Sequence, residues 1–203
     1  MIGRGPDCQG INHRTQGNSQ RVDAINAVAP SCVCEKYRMS KHSPCIVGNE
    51  EILARFVFSP MHVDRKGNIK PSIFSHVHSK GCSIQRDSIA KTDEIVAFVN
   101  SFLTIKDDRA WIGVLLGVCQ NARGIRSGDS DNRAVCVFDT AERHNTAHGE
   151  MCQTHYVVEE ADKVELRRNL FAVFNEGVVI RPPVYREGAV WNELSEGIQA
   201  RSV

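Results

Sequence analysis

Residues 111–119 (WIGVLLGVC) form the longest uninterrupted apolar run of the chain. Two glycines and several β-branched residues favour a strand over a helix, and the lack of alternating polar residues predicts that both faces of the strand are covered. We therefore expect this run to form the central strand of a sheet. The run is far shorter than the roughly 20 apolar residues that a membrane-spanning helix needs.

Three further segments have the composition of strands, because they are rich in β-branched and aromatic residues. They are residues 52–58 (ILARFVF), 82–86 (CSIQR) and 134–138 (AVCVF). The connection between residues 119 and 134 is short and polar, and a parallel pair would need a longer crossover. We therefore expect the runs at 111–119 and 134–138 to pair as an antiparallel hairpin.

Two segments have the apolar period of an amphipathic helix. After Thr92, which can cap a helix, apolar residues recur at Ile95, Val99, Phe102 and Leu103. Residues 161–174 place Leu166, Leu170, Val173 and Phe174 on one face. Shorter helices are expected at residues 22–28, from Pro71, and at residues 189–198. The predicted fold class is α+β, with a mixed or mainly antiparallel sheet of four to five strands packed by two amphipathic helices.

A chain of 203 residues lies within the usual range of a single domain. Residues 1–38 are rich in Gly, Gln, Asn and Arg and lack the apolar period of a core element. Met39, followed by Ser-Lys-His, has the features of a natural start of the reading frame. We therefore expect residues 1–38 to be a disordered or spurious N-terminal extension that makes few contacts, and residues 39–203 to be a single α+β domain.

The charged residues are balanced, with 25 Lys and Arg against 24 Asp and Glu, which argues against a strongly basic nucleic-acid binder. The first 17 residues lack the apolar stretch of a secretion signal, so we expect a cytoplasmic protein.

In a cytoplasmic protein, the 8 cysteines of the chain are expected to be reduced thiols. Cys32 and Cys34, with His42 and Cys45, offer one set of zinc ligands.

A denser set of metal ligands lies at His144, His148, Cys152 and His155. In a helix, offsets of 4, 8 and 11 residues would place all four side chains on one face, and imidazoles with a thiolate suit zinc. The sequence therefore predicts zinc as a cofactor held by these four residues. The alternative is a polar surface helix whose histidines bind no metal.

Several arginines lie where they would hold an anionic substrate. Arg55 lies inside an apolar strand, where a cation needs a partner. Arg86 ends the next strand, and Arg123 and Arg126 lie in a glycine-containing loop that can present backbone amides to an anion. The sequence contains no P-loop, no G-x-G-x-x-G and no G-x-S-x-G, so binding through a standard phosphate loop is not expected.

The order of Arg55 and Ser83, followed by a later glutamate, loosely resembles the arginine, serine, glutamate order of ADP-ribosyltransferases. In that family the arginine and the serine hold NAD, and the glutamate polarises the acceptor or the ribose. The resemblance implies that one of Glu150, Glu159 and Glu160 has the glutamate's role.

The leading hypothesis is a small intracellular enzyme with His148, Glu150 and Asp139 in its catalytic site. A histidine oriented by a carboxylate supplies general acid-base catalysis, with or without zinc. The expected reaction is hydrolysis or group transfer on a nucleotide or nucleic acid. The competing hypothesis is a non-enzymatic interaction protein or component of a complex. An enzyme should bring His148 together with Arg55 or Arg86 in a concave pocket, whereas a binding module should place them on separate faces.

Overall fold

The computed structural model of the protein describes residues 6–91, 93–94 and 112–174. The amphipathic helix expected after Thr92 and the short helix expected at residues 189–198 lie outside these ranges. No helix among the described residues is both long enough and apolar enough to cross a membrane.

Five strands form one antiparallel sheet. They are β1 (Ile52–Phe58), β2 (Cys82–Arg86), β3 (Ile112–Val118), β4 (Val135–Asp139) and β5 (His148–Gln153). Their order across the sheet is β3-β1-β2-β5-β4. Strands were expected from the sequence at the positions of β1 to β4. The α+β fold class is confirmed.

The expected position of the most apolar strand is wrong. β3 lies at one edge of the described sheet and β4 at the other, so the expected hairpin between them does not form. β3 is apolar because side chains on both of its faces are buried: Leu115 on one face, and Val114 and Leu116 on the other. On the face of Leu115, Phe174 packs so closely over Gly117 that an added Cβ would lie 3.0 Å from its ring. The apolar content of β3 therefore indicated that its side chains are buried on both faces, and it did not indicate where the strand lies in the sheet.

Four α-helices accompany the sheet among the described residues: α1 (Cys8–Thr15), α2 (Arg21–Val28), α3 (Cys119–Arg123) and α4 (Glu160–Phe174). Three 3-10 segments lie at Val33–Lys36, Pro71–His78 and Asp87–Ile89. The helices predicted near residues 22–28 and 161–174 and from Pro71 are confirmed. α4 and the Pro71–His78 segment bury apolar side chains against one face of the sheet, and this layer forms the main core.

The N-terminal segment packs on the opposite face of the sheet, over β4 and β5. Its buried side chains include Ile11, Val22 and Ile25, and they cluster with Met39, Cys136, Phe138 and Cys152. For residues 6–38, the described part of the segment, the expectation of few contacts is therefore wrong. α1 and α2 are each only 8 residues long, too short to show a clear apolar period in the sequence.

Two disulfides also hold the N-terminal segment. Cys8 is bonded to Cys34 within the segment, and Cys32 is bonded to Cys136 of β4. Four of the eight cysteines are thus oxidised, where the sequence predicted reduced thiols. The free cysteines are Cys45, Cys82, Cys119 and Cys152.

Candidate functional site

Residues 148–153 form strand β5, so the helix that was to align the four metal ligands is absent. His148 and Cys152 share a face of β5 but are separated by four residues, or roughly 13 Å of strand. His144 and His155 are exposed in the flanking loops. No three of these four residues have ligand atoms within 4.8 Å of one another. A metal site built from them is therefore not formed in this structure.

Another set of metal-ligand types does come together, at Cys32, Glu35 and Cys136. The two sulfur atoms are bonded to each other. Both carboxylate oxygens of Glu35 accept hydrogen bonds from Arg133, at 3.1 and 2.7 Å. Disulfide formation and these hydrogen bonds occupy the ligand atoms of all three residues.

The three predicted catalytic side chains do not meet. Glu150 is buried and accepts a hydrogen bond from Nε of Arg21 at 2.7 Å. Asp139 lies on the other face of the sheet, with its carboxylate 3.3 Å from Arg86 Nη1. Burial raises the pKa of the Asp139 carboxyl, although the charge of Arg86 opposes the change. Among the described residues, the His148 ring forms hydrogen bonds with Thr140 alone, so no carboxylate orients it there.

The strand arginines that were predicted to bind substrate are used inside the fold. Arg55 donates to the backbone carbonyl oxygens of Ser83, at 2.8 Å, and Ile73, at 2.9 Å. Arg86 is fully buried and donates to both carboxylate oxygens of Glu51, at 2.8 and 2.7 Å. Their guanidinium groups are therefore structural cations.

The loop arginines are also held by the protein. Arg123 donates to the Asn49 side chain at 2.6 Å and to the Val47 carbonyl oxygen at 3.0 Å. Arg126 donates to the carbonyl oxygens of Arg123, at 3.1 Å, and Gly124, at 2.9 Å. The loop thus fixes its own backbone with these side chains.

The residues that resemble ADP-ribosyltransferases are brought together only in part. Ser83 of β2 lies directly opposite Glu150 of β5, so their side chains share a face of the sheet. Arg55 projects from the other face, where it reaches Ser83 only through the backbone. Arg21 neutralises Glu150. These contacts do not reproduce a shared arginine, serine and glutamate site.

A different pair is formed on the same face as Glu150. The ring nitrogen Nδ1 of His148 lies 3.0 Å from the hydroxyl oxygen of Thr140 and 3.3 Å from its backbone oxygen. Both residues are buried, with exposures of 5% and 4%. Thr140 follows directly after β4, and β4 pairs with β5, so the sheet sets the distance between the two side chains. A hydroxyl beside an imidazole nitrogen is the arrangement of a nucleophile and its general base.

Two buried amide side chains lie near this pair. Gln85 of β2 is the direct cross-strand neighbour of His148, and Asn145 accepts a hydrogen bond at its backbone oxygen from the His148 N–H. In the described structure, neither the nitrogen nor the oxygen of either side-chain amide has a hydrogen-bond partner. Buried polar atoms are rarely left without partners, and such exceptions call for an explanation, such as a missing water, an ion or a catalytic role.

A cavity of about 760 Å³ opens beside Thr140. One wall comes from α1 and the residues just after it, a second from residues 39–42, and a third from residues 140–143. The cavity therefore lies at the boundary between the N-terminal segment and the end of β4. Thr140 is part of both the cavity wall and the pair with His148.

The sequence analysis named His148 but missed Thr140, Gln85 and Asn145. The same rule that selected Asp139, that chemistry follows the ends of strands, would also have selected Thr140. No local signal marks Gln85 or Asn145, because their relation to His148 depends on strand pairing and on a folded loop.

Comparison with known proteins identified no relative of this chain. No protein-family model matches the chain, no curated protein sequence matches it, and no solved structure matches its fold.

Proposed function

We propose that the protein is a small enzyme that catalyses hydrolysis or group transfer on a phosphate ester, such as a nucleotide or nucleic acid. The observation that carries this proposal is the 3.0 Å contact between Nδ1 of the buried His148 and the hydroxyl of Thr140, a residue that lines a cavity. The proposal keeps His148 at the centre of the site and replaces its expected carboxylate partners with Thr140.

In the proposed reaction, Thr140 Oγ1 attacks the phosphorus atom of the ester and His148 Nδ1 takes the hydroxyl proton. The bond from phosphorus to the leaving oxygen breaks, and that oxygen takes the electron pair and then the proton from the imidazolium. Water, or an acceptor alcohol, next attacks the phosphothreonine. It gives its proton to Nδ1 as its oxygen bonds to phosphorus. The bond between phosphorus and Thr140 Oγ1 breaks, and Oγ1 takes the electron pair and then the proton from the imidazolium.

Two buried amides lie next to the pair. A side-chain amide donates through nitrogen, and the polar atoms of Gln85 and Asn145 have no protein partner in the described structure. Neither residue lines the cavity, so the two amides take part in this scheme only if the substrate reaches past Thr140. There, desolvated donors held in place would stabilise the negative charge on its oxygens without further reorganisation.

The test is an assay of the purified protein with p-nitrophenyl phosphate, bis-p-nitrophenyl phosphate and ribonucleoside monophosphates. We expect His148→Ala and Thr140→Val each to lower kcat by about 10²- to 10⁴-fold, the usual contribution of acid-base catalysis. The matched control is Thr154→Val, because Thr154 also buries a hydroxyl, which donates to the Arg133 carbonyl oxygen at 2.6 Å. That control should keep its kcat.

Absence of turnover of all these esters by the unchanged protein would contradict the proposal. So would equal rates for Thr140→Val and Thr154→Val, because the Thr140 hydroxyl would then have no role beyond folding. Unfolding curves of each variant separate a loss of catalysis from a loss of structure.

A second candidate function is ligand binding without catalysis. Arg86 follows Ile84 by two residues on β2 and shares its face, whereas Gln85 and its neighbour His148 lie on the other face. The separation of His148 from Arg86 is the arrangement expected of a binding module. Specific ligand binding without turnover in the same assays would favour this function.

A further inference from the structure

We infer that the cavity beside Thr140 binds the anionic group of a phosphorylated small molecule about the size of a nucleoside monophosphate. The volume of about 760 Å³ lies within the range of roughly 300–1,000 Å³ that small-molecule sites occupy. The inference rests on the proposed function for the fate of the bound molecule, but its evidence is separate. That evidence is the chemistry of the other cavity walls.

Four side chains at the cavity can carry positive charge: His13, Lys41, His42 and Arg143. None of them has an ion pair or a side-chain hydrogen bond in the described structure. The arginines that the sequence analysis selected, Arg55, Arg86, Arg123 and Arg126, are instead held by protein groups. Lysine and arginine are the side chains that proteins use to bind phosphate oxygens.

The two acidic residues at the cavity already have donors. Asp7 accepts from the backbone N–H of Gly10 at 2.8 Å and from Arg14 at 3.2 Å. Glu142 accepts from the side-chain amide of Gln16 at 2.8 Å. Arg14 compensates the negative charge of Asp7. The charges that remain at the cavity are the positive charges of Lys41 and Arg143 and the negative charge of Glu142. The cavity therefore has an excess of positive charge even with both histidines neutral.

The walls that carry these cations come from distant parts of the chain. His13 lies on α1, Lys41 and His42 lie before β1, and Arg143 follows β4. The hydrogen bond between Gln16 and Glu142 joins the N-terminal wall to the wall that follows β4. A phosphate held between Lys41 and Arg143 would join two walls, and its ester oxygen could lie towards Thr140.

Binding is tested with adenosine 5′-monophosphate and with adenosine, which lacks the phosphate, by isothermal titration of the full chain. We expect the monophosphate to bind and adenosine to bind at least 10-fold more weakly. Lys41→Ala and Arg143→Ala should each weaken monophosphate binding by about 10-fold, as expected when one charged contact to phosphate is lost. Inorganic phosphate is the third probe and should compete with the monophosphate.

The matched controls are Lys66→Ala and Arg65→Ala. Both residues are exposed in the turn after β1 and neither lines the cavity. Each should leave the affinity unchanged. Equal affinity for adenosine and its monophosphate, or equal losses in the control and cavity variants, would overturn the inference.

The failures of the two proposals are distinguishable. If the cavity binds phosphate but Thr140 and His148 are not catalytic, the monophosphate binds with the expected charge dependence and no ester is turned over. If the pair is catalytic but the cavity is not its binding site, esters are hydrolysed and Lys41→Ala and Arg143→Ala leave KM unchanged. His148→Ala should keep its affinity for the monophosphate if both proposals hold.

Discussion

Arg21 of α2 and Glu150 of β5 form a buried ion pair, with Nε of the guanidinium group 2.7 Å from Oε2 of the carboxylate. The Arg21 side chain is fully buried, and it also donates to the Asn12 carbonyl oxygen and the Thr15 hydroxyl. A glutamate that the sequence suggested for catalysis thus anchors the N-terminal segment to the sheet.

Removing one partner of this pair should destabilise the protein strongly. Arg21→Met leaves the Glu150 charge buried without its partner, and we expect the free energy of unfolding to fall by about 3–5 kcal/mol. Glu150→Leu should have a similar effect, measured by urea unfolding. The double variant should lose less stability than the sum of the two single losses, because no charge is then left unpaired. Strict additivity of the two losses would show that the pair is not coupled.

Removing residues 1–38 should destabilise the domain, in contrast to the expectation from the sequence. A chain that begins at Met39 loses the Cys32–Cys136 disulfide and exposes the apolar surface around Phe138. A native disulfide alone contributes typically about 2–4 kcal/mol. We expect a chain that begins at Met39 to lose at least this amount or fail to fold, measured by thermal unfolding. Removal of residues 1–6 is the control, and an unchanged melting temperature for the longer truncation would contradict the prediction.

Leu115→Ala should cost roughly 2–5 kcal/mol, the usual range for a large-to-small change in a core. Leu115 has 0% exposure and belongs to the main core between the sheet and α4. The control is Val158→Ala, at a residue with 64% exposure, and its effect should stay within about 0.5 kcal/mol. Denaturant unfolding of both variants measures the difference. Similar small losses would show that β3 is loosely covered.

The stability of the protein should depend on Glu51 at acidic pH. Burial acts to raise the pKa of this carboxyl, but the hydrogen bonds from Arg86 and the Gly48 N–H outweigh it and lower the pKa below its ordinary value of 4.5. A carboxyl with a lowered pKa in the folded state stabilises the fold above its unfolded pKa, and this contribution is lost as the pH falls through the folded pKa.

Glu51→Gln should therefore reduce stability near neutral pH and flatten the loss of stability below about pH 4.5. Unfolding free energies measured across acidic and neutral pH give the comparison. Glu50→Gln is the matched control, since Glu50 is exposed and has no ion pair or side-chain hydrogen bond in the described structure. If both variants have the same pH profile, the contacts of Glu51 make no net contribution to folding.

The failure to predict β5 has a physical reason. Its sequence, HGEMCQ, is mostly polar, yet all six residues are buried. Strand prediction from pattern assumes that buried residues are apolar. His148 and Glu150 are buried because Thr140 and Arg21 supply their hydrogen bonds. Arg21 is 129 residues from Glu150 in sequence, and Thr140 meets His148 only because β4 and β5 pair.

The sequence by itself determined the elements whose burial follows from local composition. β1, β3 and α4 are continuous or periodic in apolar residues, and each forms where the pattern predicts it. The tertiary structure alone decided the strand order, the packing of the N-terminal segment and the pairing of His148 with Thr140. Strand order depends on which faces the helices cover, and short helices gain stability mainly from what they pack against. A buried polar side chain takes its role from the partner that the fold brings to it, and that partner is not encoded in the neighbouring sequence.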